Sequence, residues 1–298
     1  DPDNPIAYDT KQTKPGLYKI KMVGTNDHGK TFSSDTPVYF SVTQPTLDLN
    51  VDSGVVEYSP DQTTVPLTGS VYDPGVEEMK AGGMDVSQAN NKFVYQFGRF
   101  SNEVPLDPDG NFTTDLTLVP GVSVLAVKMY AENLATVRNY ATYKQVYYVK
   151  QGTQYGTALP DKKKITAGDT VTLTLSMNNM TNMKQAEYSF INPLSAGVEM
   201  ESVKPHESLN GQVDIETVNT DVEIDGYTRT KTAISATLTG EAAQTGVSGT
   251  IPMVDVTYKV KEDSDGGDVN IDQFKASYTN TDDTMKSVES ITIPYRVE

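Results

Sequence analysis

From Gly168 the chain reads Gly-Asp-Thr-Val-Thr-Leu-Thr-Leu-Ser-Met. Val171, Leu173, Leu175 and Met177 hold one parity; Thr170, Thr172, Thr174 and Ser176 hold the other. A period of two is the side-chain period of a strand with one buried face and one wet face. The same pattern returns at Tyr18, Ile20 and Met22, at Leu125, Val127 and Met129, and at Val254, Val256, Tyr258 and Val260. The expected fold class is therefore all-β, built as tandem antiparallel β-sandwiches.

Composition narrows what such sandwiches can do. A chain of 298 residues is long enough for two or three domains. It holds no Cys, which removes disulfides, Cys-ligated zinc, iron–sulfur clusters and thiol nucleophiles together. Its formal net charge is -16, and a polyanion needs a basic patch that displaces counterions. The one basic cluster, Lys162-Lys163-Lys164, is short and flanked by acidic residues. Nucleic acid and anionic membrane surfaces are thus poor partners. No apolar run is long enough to span a bilayer, so membrane insertion is not expected. There is no signal peptide and the first residue is Asp, so the chain is expected to be a piece of a larger protein.

Three segments are expected. The first, 1–43, opens on the turn-rich Asp1-Pro2-Asp3-Asn4-Pro5 and carries strands around Tyr18–Met22 and Val38–Val42, joined by a turn at Asn26-Asp27-His28-Gly29. It is too small to bury its own apolar face and is expected to lean on a neighbour. The second, 44–150, places Val65, Leu67 and Val71 around Gly69, which predicts a bulge or a close backbone approach. Asp107-Pro108-Asp109-Gly110 predicts a turn into a strand at Phe112, continued by Leu116 and Leu118 up to Pro120-Gly121. Val76–Ala81 breaks the alternation and predicts one helical turn stopped by Gly82-Gly83. Tyr140, Tyr143, Tyr147 and Tyr148 are expected to fill a last strand. A linker with Gly152, Gly156 and Pro160 leads into the third segment, 151–298.

Each segment resembles a known class of module. Pro15-Gly16-Leu17-Tyr18-Lys19-Ile20, followed by Thr25-Asn26-Asp27-His28-Gly29-Lys30, resembles the last hairpin of an immunoglobulin-like or fibronectin-III-like domain. Such hairpins follow the catalytic domain of cell-envelope subtilisin-like proteases. The order Asp109-Gly110-Asn111-Phe112, alternating Leu, Pro120-Gly121-Val122 and Ala131-Glu132-Asn133 resembles bacterial Ig-like domains. The third segment resembles cohesin-like domains through Ala167–Leu175, Asn178–Met183, Asn192-Pro193, Val198–Pro205 and Gly249–Val260. Cohesins carry Asp-Pro where this chain has Asn192-Pro193, so no dockerin-binding residue carries over from that motif.

Chemistry finds little to work with. A Ser–His–Asp arrangement needs an imidazole beside a hydroxyl, and His28 and His206 both fall in expected loops. Gly246-Val247-Ser248-Gly249 is one residue short of a nucleophile elbow. No acidic pair stands out for glycoside hydrolysis, and there is no Trp to stack on a sugar. Neither G-x-G-x-x-G nor a Walker A pattern occurs. Asp263-Ser264-Asp265-Gly266-Gly267-Asp268 and Asp107-Pro108-Asp109-Gly110-Asn111 cluster hard oxygens but lack the EF-hand glycine position. Both read as acidic β-turns, with structural calcium as the alternative. Tyr140, Tyr143, Tyr147, Tyr148 and Tyr155 carry Tyr on both parities, which suits cross-strand packing better than a flat sugar platform.

Catalytic residues and cofactors are therefore expected to be none, and metal ligands unknown. The expected function is a non-catalytic interaction and spacer region of a secreted or cell-surface bacterial multidomain protein, by resemblance a subtilisin-like protease. The alternatives are a carbohydrate-binding array and a cohesin that captures a dockerin-bearing partner. Expected partners are a protein or a cell-wall or extracellular polysaccharide, besides the upstream part of the parent.

Overall fold

The computed structural model describes residues 16–40, 46–72, 77, 80–81, 83, 90–119, 122–132, 137–140, 145–193, 197–264 and 266–298. The opening turn at 1–5, Pro15, Val42, Val76, Gly82, Pro120-Gly121, Asn133, Tyr143 and Asp265 lie outside the described residues. In chain order the strands are β1 (Gly16–Thr25), β2 (Thr31–Phe40), β3 (Thr46–Leu49), β4 (Gly54–Tyr58), β5 (Thr64–Tyr72), β6 (Asn90–Phe97), β7 (Phe100–Pro105), β8 (Asn111–Thr117), β9 (Val122–Glu132), β10 (Val137–Tyr140) and β11 (Gln145–Lys150). They continue as β12 (Tyr155–Pro160), β13 (Lys164–Ile165), β14 (Thr170–Ile191), β15 (Val198–Pro205), β16 (Val213–Ile224), β17 (Tyr227–Leu238), β18 (Val247–Val260), β19 (Gly267–Val269), β20 (Asp272–Asn280), β21 (Met285–Thr292) and β22 (Tyr295–Val297). The fold is all-β, as the alternation predicts. Helical structure among the described residues amounts to α1 (Gly240–Thr245), a 3-10 turn at Glu207–Leu209, and Glu77, Lys80 and Ala81 in the expected helical turn.

The chain groups into two compact units. The first comprises Asp1–Asp52, Thr63–Leu118 and Val124–Lys144. Within it β1 and β2 form an antiparallel hairpin from Gly16↔Phe40 to Thr25↔Thr31. The predicted turn closes it: Asn26 Oδ1 accepts from the backbone N–H of His28 and of Lys30. Residues 21–34 are exposed throughout.

Around Gly69 the expected choice resolves to close approach. Both ladders of β5, to β3 and to β8, run without a register shift, so there is no bulge. A Cβ on Gly69 would lie 2.3 Å from the Asp48 carbonyl oxygen and 2.8 Å from the Phe112 ring. The Asp107–Gly110 turn forms as predicted, with Gly110 at φ 82 and Asp107 Oδ1 accepting from the N–H of Asp109 and Asn111 at 3.0 and 2.7 Å.

The second unit comprises Ser53–Gln62, Val119–Ser123 and Gln145–Glu298. Two expectations are corrected here. The tyrosine tract is not one strand: β10 ends at Tyr140 and β11 begins at Gln145, where it pairs in parallel with β4. The glycine-rich linker is also not a linker. Residues 155–160 form β12, antiparallel to β14 and parallel to β21. Gly156 supplies the reason, because a Cβ there would lie 2.3 Å from the Ala276 Cβ. The glycine permits close strand packing, which sequence reading takes for flexibility. Gly156→Ala is expected to cost about 2 kcal/mol by overpacking, read as a lowered midpoint in chemical denaturation. Adding Ala276→Gly should recover part of that loss.

Strand β14 organises this unit. It runs 22 residues, well past the alternation that ends at Met177. Its first half pairs with β18 and β12; its second half pairs with β17 and β20. The passage between layers falls at three register shifts against β18: Leu175/Ser176, Met177/Met180 and Met180/Met183. Asn179 (φ 57) and Asn182 (φ 50) take left-handed backbone there, a conformation that Asn tolerates and β-branched residues do not. Bulges of this kind let one strand change sheets at a corner. Ser176, predicted to face water, is only 9% exposed, laddered between Thr157 of β12 and Pro252 of β18.

The two layers close on one core. Val171, Leu173, Leu175 and Met177 from the first half of β14 meet Ala186, Tyr188 and Phe190 from its second half, with Val254, Val256, Tyr258 and Val260 of β18. Ile234, Ala236, Ala276 and Tyr278 complete the second layer's inner face. Both halves obey the same alternation, so their opposite parities face outward.

Candidate docking face

Five strands in the order β21, β20, β14, β17, β16 present that outward parity. Register aligns it in rows across the sheet. One row runs Glu216, Ser235, Glu187, Ser277 and Ser287. Beside it run Val218, Ala233, Ser189 and Lys275. A third runs Asp214, Thr237, Gln185, Thr279 and Met285. Serine, alanine and threonine hold most of the inner positions of this surface, with Gln185 and Glu187 standing on the central strand β14. The sheet's twist makes it a shallow hollow of about 650 Å3. Val218 is 60% exposed at one margin. Gln185 is pinned in place, its Nε2 donating to Ser235 Oγ at 2.9 Å.

Below one end of this face lies Asn192, and its amide is fully used. Nδ2 donates to the Thr230 carbonyl (3.2 Å) and to Thr232 Oγ1 (2.8 Å), while Oδ1 accepts from Tyr258 OH at 2.7 Å. Its carbonyl accepts from Arg229 Nη2 at 2.7 Å, and Arg229 Nη1 pairs with Asp272 at 2.7 Å. The Asn-Pro in place of Asp-Pro is therefore a donor requirement: a carboxylate cannot give two hydrogen bonds.

The residues singled out from sequence fall elsewhere. His28 is exposed in the β1–β2 turn. His206 caps the 3-10 turn, its Nδ1 facing the Ser208 N–H (3.2 Å) and Oγ (2.8 Å). That contact spans two residues and serves as a cap; no carboxylate completes it among the described hydrogen bonds. Asp107 uses its carboxylate on its own turn, and those N–H donors, from Asn111 first, hold its pKa below the usual range. Asp268 pairs with Arg296 at 3.2 Å. No group of three His, Asp or Glu side chains is gathered to hold a metal among the described residues. Tyr147 is half-buried and Tyr148 buried, and Tyr155 donates to Glu57 Oε1 at 3.0 Å. Burial holds the hydroxyl pKa of all three above the usual tyrosine value.

Sequence reading missed the face itself. The signal was present in Lys184–Ile191 and Lys231–Leu238, where small polar residues alternate with apolar ones. What sequence could not supply was the register that brings Glu187, Ser235 and Ser277 into one row.

No protein-family model matches the chain, and no curated protein matches it. Solved structures of cohesins are similar to about half of the chain. A non-cellulosomal cohesin from Archaeoglobus fulgidus is 15% identical, with a TM-score of 0.34, over 49% of this chain and 91% of that one. A type I cohesin–dockerin complex from Clostridium thermocellum gives 15% identity and a TM-score of 0.35, over 49% of this chain and 98% of that one. A type II cohesin–X-dockerin complex from Acetivibrio cellulolyticus gives 14% and 0.35, over 49% and 99%. The architecture described for this chain comes from its own strand ladders and core.

Proposed function

We propose that this chain is a non-catalytic docking and spacer region of a secreted or cell-surface bacterial multidomain protein. Its second unit receives a protein partner of the dockerin kind on the outer face of β20, β14, β17 and β16. The observation that carries the reading is that face: mostly small side chains brought into register around Gln185 and Glu187, with Val218, Glu216 and Lys275 at its margins. Small residues over a rigid sheet allow close approach with little side-chain ordering cost. The motifs at Ala167–Leu175 and Gly249–Val260 support the choice of partner class. The parent is a subtilisin-like cell-envelope protease, a reading supported by the resemblance of the 15–30 hairpin.

Calorimetry against a panel of calcium-loaded type I and type II dockerins tests the docking role. At least one should form a 1:1 complex. Ala233→Arg, which raises a long charged side chain from the middle of the face, should weaken it at least a hundredfold while leaving the melting temperature unchanged. A panel without any complex, or a complex indifferent to Ala233→Arg, would reject the assignment.

A further inference from the structure

Strand β16 ends its sheet: β17 pairs along one edge from Val213↔Leu238 to Ile224↔Tyr227, and no described strand is laddered to the other. Twelve residues of unpaired edge form a template for strand addition. Its sequence, Val-Asp-Ile-Glu-Thr-Val-Asn-Thr-Asp-Val-Glu-Ile, holds four carboxylates and no cation. Asp214 and Glu216 stand on the outer parity, Asp221 and Glu223 on the other.

The latter two are fixed in position. Thr230 Oγ1 donates to Asp221 Oδ1 and Thr228 Oγ1 donates to Glu223 Oε1, each across the ladder. On β17, Arg229 is committed to Asp272, which leaves Lys231, opposite Thr220, against the four acids. Alternate residues on a strand are about 6.8 Å apart, so within each pair the two charges repeat at the spacing of alternate residues on an added strand, one pair on each face of the sheet. A second copy of β16 would set acid against acid, which disfavours self-pairing.

We propose that the free edge of β16 accepts an extended segment of a partner protein with lysine or arginine at alternate positions. Main-chain hydrogen bonds supply the ladder and the carboxylates select the basic sequence. The site shares β16 with the docking face but uses the strand's free main-chain edge, and it does not depend on dockerin binding.

The test uses the full chain and three probe peptides: Ac-Lys-Thr-Lys-Val-Lys-Thr-Lys-NH2, its Glu-for-Lys counterpart, and Ac-Lys-Pro-Lys-Val-Lys-Pro-Lys-NH2. The last keeps the charge but loses ladder donors. The Lys-Thr peptide should bind 1:1 and slow amide exchange at alternate β16 positions at least tenfold. The Pro and Glu peptides should bind at least tenfold more weakly. Asp221→Asn with Glu223→Gln keeps acceptors for Thr230 and Thr228, and should weaken the Lys-Thr peptide about tenfold. Equal binding by the Pro peptide, protection away from β16, dimerisation through β16, or no binding at millimolar peptide would each overturn the proposal.

Discussion

Tyr188→Ala is expected to destabilise the second unit by about 3–5 kcal/mol, whereas Tyr188→Phe should leave stability unchanged or raise it by about 1 kcal/mol. Tyr188 is 2% exposed at the centre of the sandwich core. Its ring stacks on Phe274 with centroids 6.1 Å apart and planes 10° apart. Truncation would remove that packing and open a cavity between layers that cannot fully collapse. The hydroxyl tells a different story. It is buried without a hydrogen-bond partner among the described residues, and burial pushes its pKa far above that of free tyrosine. Phenylalanine keeps the ring and removes the desolvated group. Urea titrations of both variants measure the contrast, and a large loss for Tyr188→Phe would reveal a role for the hydroxyl that packing does not explain.

Asn192→Asp is the second large effect, expected at about 3 kcal/mol near neutral pH. The change swaps two donated hydrogen bonds, to Thr230 O and Thr232 Oγ1, for a carboxylate facing a carbonyl oxygen. An ionised group there is disfavoured, so its pKa in the folded state rises above the unfolded value. A group of that kind destabilises the fold when ionised, so the penalty should be full above the folded pKa. It should shrink as pH falls and the carboxyl protonates. Thermal melts of Asn192→Asp and the parent chain across pH 4–8 test the sign. A penalty that grows on acidification would contradict the donor assignment.

These two positions also show what was legible in advance. The alternation at Thr170–Met177 fixed a buried and a wet face because side-chain direction on a strand is local. The turns at Asn26–Gly29 and Asp107–Gly110 were legible for the same reason, since Asn, Asp and Gly act within a few residues of themselves. Misreadings came where the deciding contact is remote. Gly156 looks like linker glycine until Ala276 is placed against it. The full length of β14 rests equally on remote contacts, since β17 and β20 take up its second half. Asn192 looked like a departure from a motif; its donors find Thr230 and Thr232, 38 and 40 residues on. The docking face was harder still, because its residues lie on five strands and only register assembles them.

Amide hydrogen exchange of the second unit, free and with a bound dockerin, tests the docking assignment most directly. Protection should rise on β14 from Gln185 to Ser189, on β17 from Lys231 to Thr237 and on β20 from Lys275 to Thr279, with β15 and β18 unchanged. A footprint on β15 and β18, the opposite layer, would contradict it.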